Sequence, residues 1–342
     1  MKTIILNQPG EFIHSSKKDN ESIAPDQVLV KIKRIGICGT DYHAFNGKQP
    51  FFTYPRILGH ELGAEIIGIG ESQIKHELKI GDRVSIEPYL HCRECQACKR
   101  GLSNCCENLK VLGVHTDGGM AEYLQLPIDK VHVSNILSFD QLALVETLGI
   151  GLHAVNRAEV SKSDIVLIIG AGPIGLSAAQ FAKISGAKVV MADFNTKRLN
   201  FSLENNLADD TILLKSNISS DQLKEKLNGD LPTIIFDATG NKSSMENCFS
   251  IGAQGSKIVF IGLFQGNVDF IDPNFHKREI TLMASRNSLS KDFKHIISLM
   301  EQGKINTNPW LTHRSTFENL TNVFSSWLNP EENVIKAIVS ID

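Results

Sequence analysis

The chain has little excess of either charge, no long apolar run and no cysteine pattern of the secreted kind. Lys and Arg number 35 against 38 for Asp and Glu, so the formal charge is 35 − 38 = −3. Such a balance argues against a surface dedicated to nucleic acid or to an anionic membrane. No window approaches the length of a transmembrane helix. The opening stretch, Met1 to Pro9, carries too short an apolar run for a signal peptide. Internal repeats, low-complexity tracts and a long linker are missing as well. The expectation is a cytoplasmic protein without nucleic-acid or membrane partners. In that compartment the seven cysteines do not read as disulfides.

What is present begins with size. A chain of 342 residues, 42% apolar and 21% charged, suits two globular domains. Residues 1 to about 135 read as short strands and turns. Val28–Lys33 alternates after Ala24-Pro25-Asp26, and Glu65–Gly70 and Arg83–Ile86 are split by Gly81-Asp82. Many short strands of this kind suggest a partly closed β-barrel.

Within that region Gly36-Ile37-Cys38-Gly39-Thr40-Asp41-Tyr42-His43 gathers a thiol, a hydroxyl, a carboxyl and an imidazole. His60, in Gly59-His60-Glu61, stands 60 − 38 = 22 positions after Cys38. Cys38 and His60 are a sulfur and a nitrogen of the kind zinc favours. Glu61 or the later Glu146 supplies an oxygen. Three protein ligands and a free fourth position describe a catalytic zinc. Asp41 suits a supporting role, accepting the ring N–H of His60, although its neighbourhood also permits a plain turn residue.

A second cysteine group is Cys92, Cys95 and Cys98 at intervals of three, followed by Cys105 and Cys106. Three thiolates on one short loop wrap a tetrahedral ion and a fourth closes it, which defines a structural zinc. A redox CxxC pair would need only two of these sulfurs. Cys248 has no assigned role.

From Phe139 the period becomes helical through Leu142, Val145, Glu146, Gly149 and Leu152. Then a strand, Asp164–Ile169, runs into Gly170-Ala171-Gly172-Pro173-Ile174-Gly175 and a helix through Ile184. The next strand, Lys188–Asp193, ends in an acid. This is the dinucleotide-binding pattern: the glycines admit the pyrophosphate to a helix N-terminus. Asp193 suits the adenosine ribose hydroxyls and repels a phosphate there, so NAD is expected over NADP. Arg198 stacks on adenine in this reading or is simply solvated. Further strands fit Thr233–Asp237, Lys257–Ile261 and Glu279–Ala284. Thr239 and Ile261 fall at carboxyl ends where open parallel sheets bind ligands. Helices are expected over Lys291–Gln302 and Phe317–Trp327, and a last strand over Ile335–Ile341.

Gly36 to His43, with Tyr54-Pro55-Arg56-Ile57-Leu58-Gly59-His60-Glu61, resembles the zinc-dependent medium-chain alcohol and polyol dehydrogenases. The sorbitol dehydrogenase branch, with its sugar-acid 5-dehydrogenases, is the nearest resemblance, and it runs over nearly the whole chain. It implies a GroES-like β-barrel catalytic domain over 1–147 and 286–342, and a doubly wound Rossmann domain over 148–285. It also implies two zinc ions and NAD. Its spacing selects Cys106 rather than Cys105 for the structural site, and it places Glu146 at a ligand position used by several relatives. Thr40 and His43 become a proton relay, and His115 and Arg286 candidate substrate contacts beside Glu146. The expected reaction is hydride transfer between NAD and a secondary alcohol of a polyol or sugar acid, in a homodimer or homotetramer. The alternatives are a dehydrogenase of simple alcohols or threonine, and a dinucleotide-binding regulator without turnover.

Overall fold

The computed structural model describes residues 1–17, 22–50 and 52–341. Its contacts divide into two compact units, Met1–Thr147 with Ser288–Asp342, and Leu148–Asn287.

The first unit is built on a seven-stranded sheet. Strand Gln27–Ile37 lies inside it, pairing antiparallel with Glu61–Ile69, Tyr123–Pro127 and Lys336–Ser340. Its alternation buries Val28, Val30 and Ile32, the period-two signature of a strand with one face in the core. Past Ile32 the alternation stops, and Ile35, Gly36 and Ile37 are all buried. That is the end that carries Cys38. The register sets Gly36 directly opposite Glu61 on one side and Ile338 on the other.

A buried ionic cluster sits in the same unit. Lys130 Nζ donates to Glu87, His132 Nε2 lies 3.1 Å from the other Glu87 oxygen, and Ser290 Oγ donates to that same oxygen. Glu87 and Lys130 are essentially inaccessible. Burial alone would raise the Glu87 carboxyl, but His132 and Lys130 hold it below its usual range. Its stabilisation is therefore complete above the ordinary glutamate pKa near 4.5 and fades as pH falls through the lowered folded value. Glu87→Gln strands the Lys130 ammonium, a change that costs roughly 3–5 kcal/mol. Urea unfolding at neutral pH should show a drop of that size, and the gap between native and variant should narrow in acid. A gap independent of pH would show that the Glu87 charge contributes nothing.

The second unit is a six-stranded parallel sheet. Its order is Asp210–Leu213, Lys188–Asp193, Ile165–Ile169, Ile234–Asp237, Lys257–Phe260 and Thr281–Ala284. In sequence this is 3-2-1-4-5-6, the doubly wound order whose ligand crevice opens beside the first strand. Near-continuous apolar strands are what a sheet covered on both faces requires, and Val166–Ile169 are all buried. The fold class is thus the expected one, a GroES-like domain with a Rossmann domain.

Two local readings need correction. The chain re-enters the first unit at Ser288, not 286, so Arg286 belongs to the second. The stretch Phe317–Trp327 is not one helix but a short helix, Leu320–Val323, and a 3-10 turn, Ser326–Leu328. Phe317, Leu320, Phe324 and Trp327 are buried at helical spacing. Between them Asn319, Thr321, Asn322, Ser325 and Ser326 are short polar residues that favour caps and turns. Among the described residues no helix is long and apolar enough to cross a membrane.

Candidate active site

Cys38 follows strand Gln27–Ile37 and caps helix Gly39–Phe45, its N–H donating to Asp41 Oδ2 at 2.9 Å. His60 and Glu61 open the neighbouring strand. The ligand atoms of Cys38, His60 and Glu61 lie within 4.8 Å of one another. Room for the Glu61 carboxylate comes from Gly36, where a Cβ would stand 2.2 Å from Glu61 Oε2. Glycine at that position is therefore a requirement of the site.

Glu61 has a strong partner that the sequence reading missed. Lys336 Nζ donates to both its oxygens, at 2.6 and 2.8 Å, and to Ile37 O at 3.2 Å. Lys336 is 2% exposed. A charged residue inside the apolar run Val334–Val339 is the one signal that could have found it. Glu146, on helix Phe139–Ala158, is buried and accepts a hydrogen bond from the Tyr89 hydroxyl. Asp41 Oδ1 and His60 Nδ1 face each other at 3.8 Å, too far for a hydrogen bond, and both are buried without a partner.

The electrostatics of this cluster ask for a cation. Asp41, Glu61 and Glu146 are all buried against a single lysine. Burial raises Asp41 and Glu146 from their ordinary values, while for Glu61 burial is outweighed by Lys336, which lowers it. His60 is raised well above the imidazole range, since Asp41 and Cys38 outweigh its burial. A divalent ion at Cys38, His60 and Glu61 would offset this concentration of buried acids, and the donor set of one sulfur, one nitrogen and one oxygen fits zinc.

The four sulfurs of Cys92, Cys95, Cys98 and Cys106 also lie within 4.8 Å of one another, and none forms a disulfide. Backbone N–H groups point at them: Cys95 N–H to Cys92 Sγ, and Cys92 and Asn108 N–H to Cys106 Sγ, each at 3.3 Å. The backbone N–H groups of Cys98 and Glu107 pull the Cys95 thiol down to about 6, whereas burial pushes Cys98 up to about 12. Four thiolates require a cation between them, and with four sulfur ligands the site is closed. Cys105 is exposed and stands outside the group.

Thr40 is half-buried and His43 exposed, three residues apart on one short helix. His115 is half-buried, its Nδ1 accepting from Val111 N–H at 3.1 Å. Arg286 is exposed just beyond strand Thr281–Ala284 of the second unit.

In that unit Gly172 caps helix Pro173–Ile184, so Pro173, Ile174 and Gly175 form its first turn. A Cβ on Gly175 would stand 1.8 Å from Gly170 O, which explains why the helix starts so close to the strand. A cavity of about 660 Å³ opens there, lined by residues including Gly170, Asp193, Asn217 and Thr239. Asp193 is held by N–H groups of Ala171 at 2.6 Å and Asn195 at 2.8 Å. Arg198 lies beside Gly172, its Nε buried and unpartnered. Ile261 donates its N–H to Asp237 O at 2.9 Å and is not among the lining residues.

A cysteine-rich closed site, a Cys–His–Glu set and a dinucleotide crevice together define a zinc- and nucleotide-dependent oxidoreductase. Residues 24–135 match the alcohol dehydrogenase GroES-like domain, and residues 173–302 match the zinc-binding dehydrogenase domain. The chain belongs to the zinc-dependent medium-chain alcohol and polyol dehydrogenases, enzymes that act on CH–OH donors. It is 40% identical to an L-galactonate-5-dehydrogenase of Escherichia coli (strain K12), over 99% of both chains. It is 32% identical to an L-idonate 5-dehydrogenase of Vitis vinifera, covering 86% of this chain and 82% of that one. An alcohol dehydrogenase from E. coli CFT073, solved with NADH, superposes with a TM-score of 0.91 at 27% identity, over 100% of this chain and 99% of that one.

Proposed function

We propose that this protein transfers hydride between NAD and a secondary alcohol of a sugar acid, such as the 5-position of an aldonate. The observation that carries the reading is the Cys38, His60 and Glu61 set in a buried, negatively charged cluster. When bound there, zinc supplies Lewis acidity that lowers the pKa of a substrate hydroxyl. The chain's own groups handle the rest. Asp41 faces His60 Nδ1 at 3.8 Å and acts on the ring through its charge. The Thr40 hydroxyl accepts the substrate proton while giving up its own, by way of the cofactor ribose, to the His43 imidazole, whose exposure lets it release the proton to water. Asp193 and Thr239 hold the adenosine half of the cofactor, and the glycine turn admits its phosphates. The carboxylate of Asp193 favours NAD over NADP. Cys92, Cys95, Cys98 and Cys106 hold a second, structural zinc. A cytoplasmic dimer or tetramer is the assembly that goes with this reading.

Relatives named for L-galactonate and L-idonate support a sugar acid over a plain polyol. Arg286 is the residue assigned to the substrate carboxylate, because its planar fork matches that group bidentately. Arg286→Lys keeps the charge and loses the fork. KM should rise roughly tenfold for aldonates, the size of one lost charge-assisted hydrogen bond, and hardly at all for neutral polyols. Equal effects on both classes would leave a polyol as the better substrate. His115 is a further candidate contact, because its loop resembles the one that borders the substrate pocket in polyol dehydrogenases, and the same comparison applies to it.

A further inference from the structure

Two buried carboxylates, Glu61 and Glu146, belong to the cluster around the candidate metal position, and the structure gives each a different partner. Glu61 is gripped by an ammonium, Lys336, through both oxygens. Glu146 is held by a neutral phenol, Tyr89. The ligand atoms that come together are those of Cys38, His60 and Glu61; Glu146 is not in the group. Glu146 is buried and within electrostatic reach of His60 and Glu61, and a carboxylate there would be drawn to a dication, so something has to hold it back.

Tyr89 is placed to do so. It is 3% exposed and sits on the two-residue strand Tyr89–Leu90, paired with Val111. Its ring lies edge-on to Phe293, with centroids 6.4 Å apart. Phe293 in turn stacks on His132 at 4.9 Å. His132 is anchored on Glu87 together with Lys130 and Ser290. The buried ionic cluster, which the hydride chemistry does not use, thus ends in a fixed phenol aimed at Glu146. Helix Ser290–Glu301 supplies both Ser290 and Phe293, so the returning segment of the chain braces this arrangement.

We propose that Tyr89 is a positioning residue that keeps Glu146 off the metal, so that the fourth coordination position stays available to the substrate oxygen. Glu146 becomes a reserve ligand whose approach costs the hydrogen bond from Tyr89. The inference rests on the metal reading given above for Cys38, His60 and Glu61.

Cobalt exchanged into the Cys38 site, with zinc retained by the four sulfurs, tests it in the full-length protein. In the native protein the visible cobalt bands should shift when azide is added, since azide takes the position kept for substrate. In Tyr89→Phe, which keeps the ring and its packing, Glu146 closes on the metal. Azide then no longer shifts the bands, and a chelator removes the ion about ten- to a hundredfold more slowly, the size of one hydrogen bond to a charged group. Adding Glu146→Gln to Tyr89→Phe should restore both the azide response and the native release rate. Glu146→Gln alone gives an independent arm should Tyr89→Phe fold poorly. It should leave the release rate within about twofold of native, because a reserve ligand carries no resting affinity. An unchanged azide response in Tyr89→Phe overturns the inference, as does metal release more than about tenfold faster in Glu146→Gln. A native protein that takes up no cobalt at Cys38 overturns the metal reading itself, and this inference with it.

Discussion

His60→Ala should lower kcat/KM by roughly a thousandfold or more, because Lewis-acid assistance is worth several kcal/mol and each 1.36 kcal/mol is tenfold. The reason lies in the charge of the site. His60 supplies the one nitrogen among the Cys38, His60 and Glu61 atoms that lie within 4.8 Å. Without it, Cys38 and Glu61 are left to hold the ion, and the Lys336 pair competes for Glu61. Zinc content should fall from two ions per chain to one. NADH binding should be unchanged, since Asp193, Thr239 and the glycine turn all lie in the other compact unit. That contrast separates loss of the metal from loss of the fold. Full activity with two zinc ions in His60→Ala would place the catalytic metal elsewhere.

Cys98→Ser should release the other zinc and melt the loop around it. Helix Gln96–Lys99 has no buried residue of its own. Within 92–106 only Asn104 and Cys106 are buried. The metal is therefore the core of that segment, and structural zinc in small peptides contributes roughly 10–16 kcal/mol of coupled folding energy. Even a fraction of that lost should raise tryptic cleavage after Lys99 and Arg100 by about a hundredfold or more, because cleavage follows local opening. The second unit should resist as before. Native resistance in Cys98→Ser, with one zinc lost, would show that the loop is held by contacts other than the ion.

Much of this architecture is legible in the chain itself, for reasons of range. The strands Lys188–Asp193 and Arg83–Ile86 fall where alternation and turn residues place them. The cysteines of the four-sulfur group lie within one short loop, so spacing alone suggests they meet. The dinucleotide crevice is a local strand–turn–helix unit, and its glycines do their work within six residues. What stays hidden depends on distant pairing. Lys336 meets Glu61 across 275 residues, and Ser290 meets Glu87 across 203. No local pattern announces either contact. The strand Leu311–Thr316 is likewise hidden, since its single apolar position is too little to mark a period. Tyr89 is a single aromatic with no motif around it, and only its distance to Glu146 gives it a role. Gly36 reads as one more glycine in a turn-like motif until the register sets it opposite Glu61.

The most direct test of the central claim is the initial rate of NADH formation from NAD across a panel of aldonates and neutral polyols. The protein should be assayed as isolated and again after a chelator has emptied the Cys38 site. The account predicts turnover with at least one sugar acid, faster than with any polyol, lost on chelation and restored by zinc. Turnover that survives removal of that zinc, or none with any sugar acid while a plain alcohol is oxidised readily, would contradict it.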